Sequence, residues 1–270
     1  MAYTKIGDKQ IYYEVHGEGL PLVILNGIMM STVSWKMFLP ALKDFKVILI
    51  DFLDQGKSTS MNIVYDHELQ VDCVYQVLED LKLNKVFMTG ISYGGQVALT
   101  FAAKYSHRLI KLAVFNGASY TTPWLKDIGL AWQLAARTGD PELFYHVTIP
   151  YIYSPNFYTT NYTWMMNRKN ILLNVFTNDF LDRIDRLITS SEEYDIRNEL
   201  ADIHTPILVV GTCDDYITPI GEARAMCKEI PNSTFLTIEG CGHASMYEAP
   251  EAFVSLIRGF LTDDKSVKVL

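Results

Sequence analysis

Short runs of consecutive apolar residues alternate along the chain with segments in which apolar residues recur every three or four positions. Such runs are typical of strands covered on both faces. They lie at residues 22–25, 47–50, 86–89, 111–115, 207–210 and 234–238. Helical spacing is clearest at residues 66–83 and 250–261. Buried strands that alternate with helices predict an α/β fold, in which helices flank a mostly parallel central sheet.

Shorter elements complete this pattern. Residues 3–6 and 11–15 alternate polar and apolar side chains around a Gly-Asp-Lys turn, which predicts an opening β-hairpin. Two further helices are predicted at residues 34–42 and 96–104. The chain contains no internal repeat and no low-complexity stretch.

Residues 120–200 interrupt the strand–helix rhythm and are rich in tryptophan, tyrosine, phenylalanine and methionine. Helical segments are expected there, broken at Pro150 and Pro155. An insertion between two core strands, at the edge where the strands end, is positioned to cover a site. We therefore expect an α/β core of residues 1–119 and 201–270, with a helical cap of residues 120–200. The aromatic side chains of the cap either pack against the core or line an apolar substrate pocket, and as a group they favour a substrate with an apolar portion.

Composition narrows the class of protein. A chain of 270 residues that is 49% hydrophobic and 20% charged can bury one large core. Its formal net charge of −8, without a lysine or arginine cluster, argues against a nucleic-acid partner. No run of about 18 apolar residues and no basic-then-apolar leader is visible, so neither a membrane span nor a signal peptide is expected. The four scattered cysteines contain no C-x-x-C pair and no zinc-like spacing, which predicts a cytoplasmic protein with reduced thiols and without a bound metal.

The stretch G-I-S-Y-G-G at residues 90–95 carries the clearest chemical signal. It places Ser92 between a predicted strand and a predicted helix, which is the context that gives G-x-S-x-G its meaning. A turn this tight strains the serine backbone and requires very small neighbours, here Gly90 and Gly94. The first amides of the helix point toward the hydroxyl and favour negative charge beside it. Ser92 is therefore the candidate nucleophile.

Reactive groups in an open parallel sheet collect beyond the carboxyl ends of the strands. His243 follows the last predicted strand in a glycine-rich loop, and we predict that it is the general base. The loop after the strand at 207–210 offers two acids to orient that base, Asp214 and Asp215. The preceding strand ends at Asn116 and offers no acid.

The chain order serine, aspartate, histidine, together with the serine turn and the strand rhythm, resembles the α/β-hydrolase family over nearly the whole chain. Residues 240–253 look like that family's closing G-x-G-H…E-x-P-E-x-F motif. The family's acid usually lies three residues after a glycine and four before a proline. Here the loop is one residue longer, so Gly211 selects Asp214 whereas Pro219 selects Asp215. The match to D-x-I-x-P favours Asp215.

The resemblance also implies an oxyanion hole. The family's first oxyanion loop normally begins His-Gly, where this chain has Asn26-Gly27. Because the donors are backbone amides, the N–H groups of Ile28 and Tyr93 are expected to bind the oxyanion. The family's D-x-x-G-x-G-x-S loop is altered as well, with Asp54 at the first glycine.

These residues imply a cofactor-independent serine hydrolase that acts on a small-molecule ester, thioester or lactone with an apolar acyl part. Two alternatives use the same site, namely acyl transfer to an acceptor other than water and cofactor-free perhydrolysis. A third is a ligand-binding relative without catalysis. An aspartate-nucleophile halide or epoxide hydrolase is disfavoured because the turn carries serine. The oligomeric state stays open between monomer and homodimer.

Overall fold

In the computed structural model, which describes residues 2–262, eight strands form a single sheet. In chain order they are β1 (Ala2–Ile6), β2 (Lys9–His16), β3 (Leu20–Leu25), β4 (Phe45–Ile50), β5 (Val86–Ile91), β6 (Leu109–Phe115), β7 (Ile207–Thr212) and β8 (Ser233–Ile238). Their order across the sheet is β1-β2-β4-β3-β5-β6-β7-β8. The β1–β2 and β2–β4 pairs are antiparallel and the other five pairs are parallel, which confirms the predicted hairpin and the mostly parallel sheet.

Ten α-helices accompany the sheet. They are α1 (Glu68–Asp80), α2 (Tyr93–Tyr105), α3 (Pro123–Ala136), α4 (Pro141–Ile152), α5 (Pro155–Thr160), α6 (Tyr162–Val175), α7 (Asn178–Ser190), α8 (Ile220–Glu229), α9 (Ser245–Glu248) and α10 (Pro250–Thr262) within residues 2–262. Short 3-10 segments cover Thr32–Leu42, Ser106–Arg108 and Arg197–Asp202. The helix predicted at residues 34–42 is therefore a 3-10 segment, and α8 is a helix that periodicity did not indicate.

Both faces of the sheet are covered. Helices α1, α2 and α8 contribute apolar side chains to one core layer, and the 3-10 segment at Thr32–Leu42 contributes to the other, together with α10. This double cover explains why the central strands are apolar throughout instead of alternating, as in Leu22 to Leu25, which are all fully buried. The sheet's carboxyl edge is left free of these helices and carries the loops that form the site.

Helices α3 to α7 lie between β6 and β7 and form the predicted helical cap. Three of them begin with proline at the first turn after a polar residue whose side chain caps the helix, Thr122, Asp140 and Ser154. Pro155 thus begins α5, and the predicted break lies just before it, between Ile152 and Pro155. Pro150 was expected to break a helix, and this was wrong, because α4 continues through it to Ile152. Pro150 lies in the last turn of α4, where the backbone hydrogen bond that proline cannot donate is lost close to the end of the helix.

No helix within residues 2–262 combines the length and the apolar character that a membrane crossing requires. The exact division of the chain at residues 120 and 200 stays a prediction.

Candidate active site

Ser92 lies at the turn between β5 and α2 with a left-handed backbone angle, φ = +54°. The turn is possible only because its neighbours lack side chains. A Cβ atom on Gly90 would overlap the carbonyl oxygen of Gly94, and a Cβ atom on Gly94 would overlap the carbonyl oxygen of Leu25. This backbone presents the Ser92 side chain at the end of β5, where it lines a cavity.

His243 and Asp215 meet at the adjacent strand ends. The Nδ1 atom of His243 lies 2.8 Å from Oδ2 of Asp215, and both side chains are buried. Asp214, the other candidate acid, has a half-buried side chain that makes no hydrogen bond to His243 within the described chain, and its backbone N–H donates to the carbonyl of Cys241. Of the two acids, the structure therefore brings Asp215 to the histidine.

Several donors surround the Asp215 carboxylate. Oδ1 accepts hydrogen bonds from the backbone N–H groups of Ile217 (2.8 Å) and Thr218 (2.9 Å), and Oδ2 accepts one from the Asn116 amide (2.9 Å). Burial raises the pKa of Asp215, but the facing His243 and the hydrogen bonds from Thr218 and Asn116 outweigh it and hold the pKa below its usual value. Asp215 is thus an ionised acceptor at neutral pH.

Asn116 supports this carboxylate from the end of β6, the position at which the sequence offered no acid. Its backbone is left-handed, with φ = +48°. Its amide nitrogen also donates to the Thr212 hydroxyl (2.7 Å), while its amide oxygen accepts from the Ser245 hydroxyl (2.6 Å). Sequence reasoning found the strand end but not this role, which depends on three segments that are distant along the chain.

The backbone N–H groups of Ile28 and Tyr93 belong to residues that line the same cavity as Ser92 and His243. Neither group has an acceptor among residues 2–262. For Tyr93 the reason is its place as the first residue of α2, where backbone donors have no partner inside the helix. Two unpaired donors beside the serine can bind a developing oxyanion.

Asn26, which replaces the histidine of the family's oxyanion loop, is a buried anchor. Its amide nitrogen donates to the carbonyl of Ile50 (2.8 Å), and its oxygen accepts from the Trp35 indole (2.7 Å). Gln55 then donates to the carbonyl of Gly27 at 2.9 Å. Because the C=O and N–H of a trans peptide point in opposite directions, this bond turns the N–H of Ile28 away from Gln55.

Asp54 stands where the family's loop has its first glycine, and it keeps the left-handed backbone that glycine usually provides, with φ = +64°. Its buried carboxylate forms an ion pair with Arg186 of α7 at 2.8 Å and accepts the backbone N–H of Met61 at 2.9 Å. The altered residue therefore adds a contact between the core and the cap.

The cavity has a volume of about 400 Å³ and lies between the strand ends and the cap. Its cap side is mainly apolar. The apolar lining side chains of the cap include Leu125, Ile128, Trp132, Ile149, Ile152, Tyr153, Leu172 and Ile188. Arg168 of α6 also lines it, and no motif in the sequence singled that residue out. Of the aromatic side chains of the cap, only Trp132 and Tyr153 line the cavity within residues 2–262, and the rest of its apolar lining from the cap is aliphatic.

The cap is joined directly to the loop that carries His243. The backbone N–H of Ala244 donates to the carbonyl of Ile152 at 3.0 Å. The Glu248 carboxylate accepts hydrogen bonds from the backbone N–H groups of Ser154 and Gly242, each at 3.1 Å. Burial raises the pKa of Glu248, although these bonds act against the increase. The histidine loop is therefore positioned partly by the cap.

Residues 2–262 contain no group of three or more histidine, cysteine, aspartate or glutamate side chains arranged to hold a metal ion. All four cysteines are free.

Two curated relatives align over almost the full chain. A protein of Caulobacter sp. (strain K31) named putative carbamate hydrolase RutD is 27% identical, and the alignment covers 94% of this chain and 96% of the relative. Pyrrolizixenacetamide deacetylase of Xenorhabdus hominickii is 25% identical, with 98% of this chain and 99% of the relative covered.

A solved structure and a family model agree with this relationship. The crystal structure of MGS-M2, an alpha/beta hydrolase enzyme from a Medee basin deep-sea metagenome library, superposes with a TM-score of 0.96 at 41% identity and covers 98% of both chains. The model of the alpha/beta hydrolase fold family matches residues 21–250. The chain therefore belongs to the α/β-hydrolase fold family and is a hydrolase.

Proposed function

We propose that the protein is a serine hydrolase that cleaves a carboxylic ester, thioester or lactone with an apolar acyl part through an acyl-enzyme. The observation that carries this proposal is the 2.8 Å contact between His243 and Asp215 at the cavity that Ser92 also lines. Ser92 is the nucleophile, His243 the base, and Asp215, not Asp214, the acid that orients the base.

The tautomer of His243 follows from its partner. An ionised Asp215 accepts but cannot donate, so Nδ1 carries the proton and Nε2 is left with a free lone pair. Nε2 takes the proton of the Ser92 hydroxyl as Oγ bonds to the substrate carbonyl carbon. The negative charge that develops on the carbonyl oxygen is stabilised by the N–H groups of Ile28 and Tyr93.

Collapse of this intermediate breaks the bond to the leaving group, which receives the proton from Nε2. Water then enters, His243 removes its proton, and the same steps release the acid and restore the Ser92 hydroxyl. The name of the relative RutD, a putative carbamate hydrolase, favours water as the acceptor over another nucleophile.

The apolar lining of the cap supports the choice of substrate. A cavity of about 400 Å³ accommodates a small organic molecule. Its mainly apolar wall favours an acyl chain whose burial releases water, while the polar groups converge at the strand ends where the carbonyl must lie.

A panel of acyl esters, thioesters and lactones tests the proposal with the wild type and a Ser92→Ala variant. We expect kcat/KM to fall by about 10⁴-fold or more in the variant, with loss of labelling by a fluorophosphonate detected by intact mass. Ser34→Ala is the matched control, because Ser34 is another half-buried serine at the cavity. Wild-type activity in Ser92→Ala, or tight ligand binding without any turnover or labelling of Ser92, would refute the proposal.

A further inference from the structure

Arg168 of α6 is a partly buried cation in the wall of the cavity. Its Nε atom is fully buried and has no hydrogen-bond partner among residues 2–262. None of the ion pairs within this part of the chain includes it. Since an arginine stays protonated at any ordinary pH, Arg168 presents a positive charge to the cavity that no carboxylate of residues 2–262 pairs with directly, although Asp127 and Glu192 also line the cavity.

The other arginines on and beside the cap helices differ from Arg168 in this respect. Arg137 pairs with Asp185 at 3.0 Å, Arg183 with Asp179 at 2.7 Å, and Arg186 with Asp54 at 2.8 Å.

The adjacent residue on α6 makes the contrast sharper. Lys169, which does not line the cavity, pairs with Glu142 at 2.6 Å. The missing partner of Arg168 therefore does not reflect a general shortage of acids in the cap.

The guanidinium of Arg168 is held in place by aromatic rings. It lies 4.2 Å from the ring centroid of Tyr247 and 5.4 Å from that of Trp164. Tyr247 follows His243 by four residues and itself lines the cavity. The cation is therefore oriented in advance, close to the loop of the proposed base.

We infer that the substrate hydrolysed at Ser92 carries a carboxylate, which binds the guanidinium of Arg168 in the cavity. A buried cation without a counter-ion is costly, and a ligand anion that makes charge-assisted hydrogen bonds with it removes that cost. A carboxylate matches the planar fork of arginine and brings one negative charge to one cation. A phosphate dianion would leave excess charge in a mainly apolar cavity.

This inference rests on the proposed function and names its substrate class. Monomethyl esters of the straight dicarboxylic acids from succinate to suberate supply a carboxylate on the acyl side. Acetyl esters of ω-hydroxy acids supply it on the alcohol side. Each compound is compared with the uncharged ester of the same chain length.

We expect the wild type to prefer the charged ester of at least one series by about tenfold or more in kcat/KM. Arg168→Met should lower kcat/KM for that charged ester by about 10- to 100-fold, mainly through KM, and change the uncharged ester by less than threefold. Arg168→Lys keeps the charge but loses the planar fork, so its kcat/KM for the charged ester should lie between the values of the wild type and Arg168→Met. If Arg168→Met does not fold, this variant tests the inference in its place. Lys169→Met is the matched control and should keep the wild-type preference.

Binding of free dicarboxylates separates this inference from the proposed function. Calorimetric titration of Ser92→Ala with succinate, glutarate, adipate, pimelate and suberate requires no turnover. Binding that Arg168→Met abolishes supports the carboxylate site even if every ester assay fails. The inference is overturned if neither ester series shows a charge preference and no dicarboxylate binds, or if Arg168→Met weakens charged and uncharged esters equally.

Discussion

The Glu248 carboxylate accepts a hydrogen bond of 2.6 Å from the Ser154 hydroxyl, and this contact joins the residue that caps α5 to the segment that follows His243. The same carboxylate also accepts the backbone N–H groups of Ser154 and Gly242. One acidic side chain therefore satisfies donors from two parts of the chain that are far apart in sequence.

Glu248→Ala should lower both stability and activity. It leaves the buried N–H groups of Ser154 and Gly242 without an acceptor, for which we expect a loss of about 2–4 kcal/mol in the free energy of unfolding. The loosened histidine loop should reduce kcat/KM by about tenfold or more. Urea titration and ester hydrolysis measure the two effects. Glu229→Ala, which removes an exposed glutamate at the end of α8, should change stability by less than about 0.5 kcal/mol. Equal effects of the two variants would contradict this role of Glu248.

The neighbouring acids Asp214 and Asp215 provide a direct comparison. Asp215→Asn should lower kcat by about 10³- to 10⁴-fold, because an amide that donates to Nδ1 forces the proton onto Nε2 and removes the base. Asp214→Asn should retain kcat within threefold. Steady-state kinetics on the best ester from the panel give both values, and a larger loss in Asp214→Asn would transfer the orienting role to that residue.

The pH dependence of stability should reflect the lowered pKa of Asp215. A carboxyl group whose pKa is lower in the folded than in the unfolded state stabilises the fold above the unfolded value, 3.8, and this contribution is lost as the pH falls through the folded value. We expect the difference in unfolding free energy between the wild type and Asp215→Asn to be largest near neutral pH and to decrease below pH 3.8. Urea titrations at several pH values measure it, with Asp214→Asn as reference. A difference that increases on acidification would show that the sign is wrong.

Gly94 and Gly259 lie in helices but should respond oppositely to alanine. A Cβ atom on Gly94 would overlap the carbonyl oxygen of Leu25, whereas nothing lies within 4 Å of one on Gly259. Gly94→Ala should therefore cost about 3 kcal/mol or more. Gly259→Ala should add about 0.5–1 kcal/mol, because alanine favours helix. Thermal and urea denaturation test the pair, and a stable, active Gly94→Ala enzyme would disprove the steric account of the serine turn.

Local signals were sufficient for much of the fold and for part of the site. The strands are continuous apolar runs because both faces of the sheet are covered, and the turn at Ser92 requires glycines that are visible in sequence. Helix α8 was not predicted from the sequence, because only Ala223 and Met226 of its ten residues are buried, which is too few for a clear apolar stripe.

The remaining features depend on contacts between distant segments. Counting along the loop selects Asp214 from one end and Asp215 from the other, and the D-x-I-x-P match only favours Asp215, whereas the hydrogen bond to His243 distinguishes the two directly. Arg168 has no local signal at all, because the lack of a counter-ion is a property of the packed cap and not of the residues beside it in sequence.

The bond between Ala244 and Ile152 has a consequence for attempts to change the substrate range by exchanging caps between hydrolases. A Cβ atom on Gly242 would overlap the backbone nitrogen of Ser154, so the two segments match each other in shape as well as in hydrogen bonding. A chimaera therefore has to keep residues 152–154 from this chain, or import residues 240–248 from the donor along with its helices.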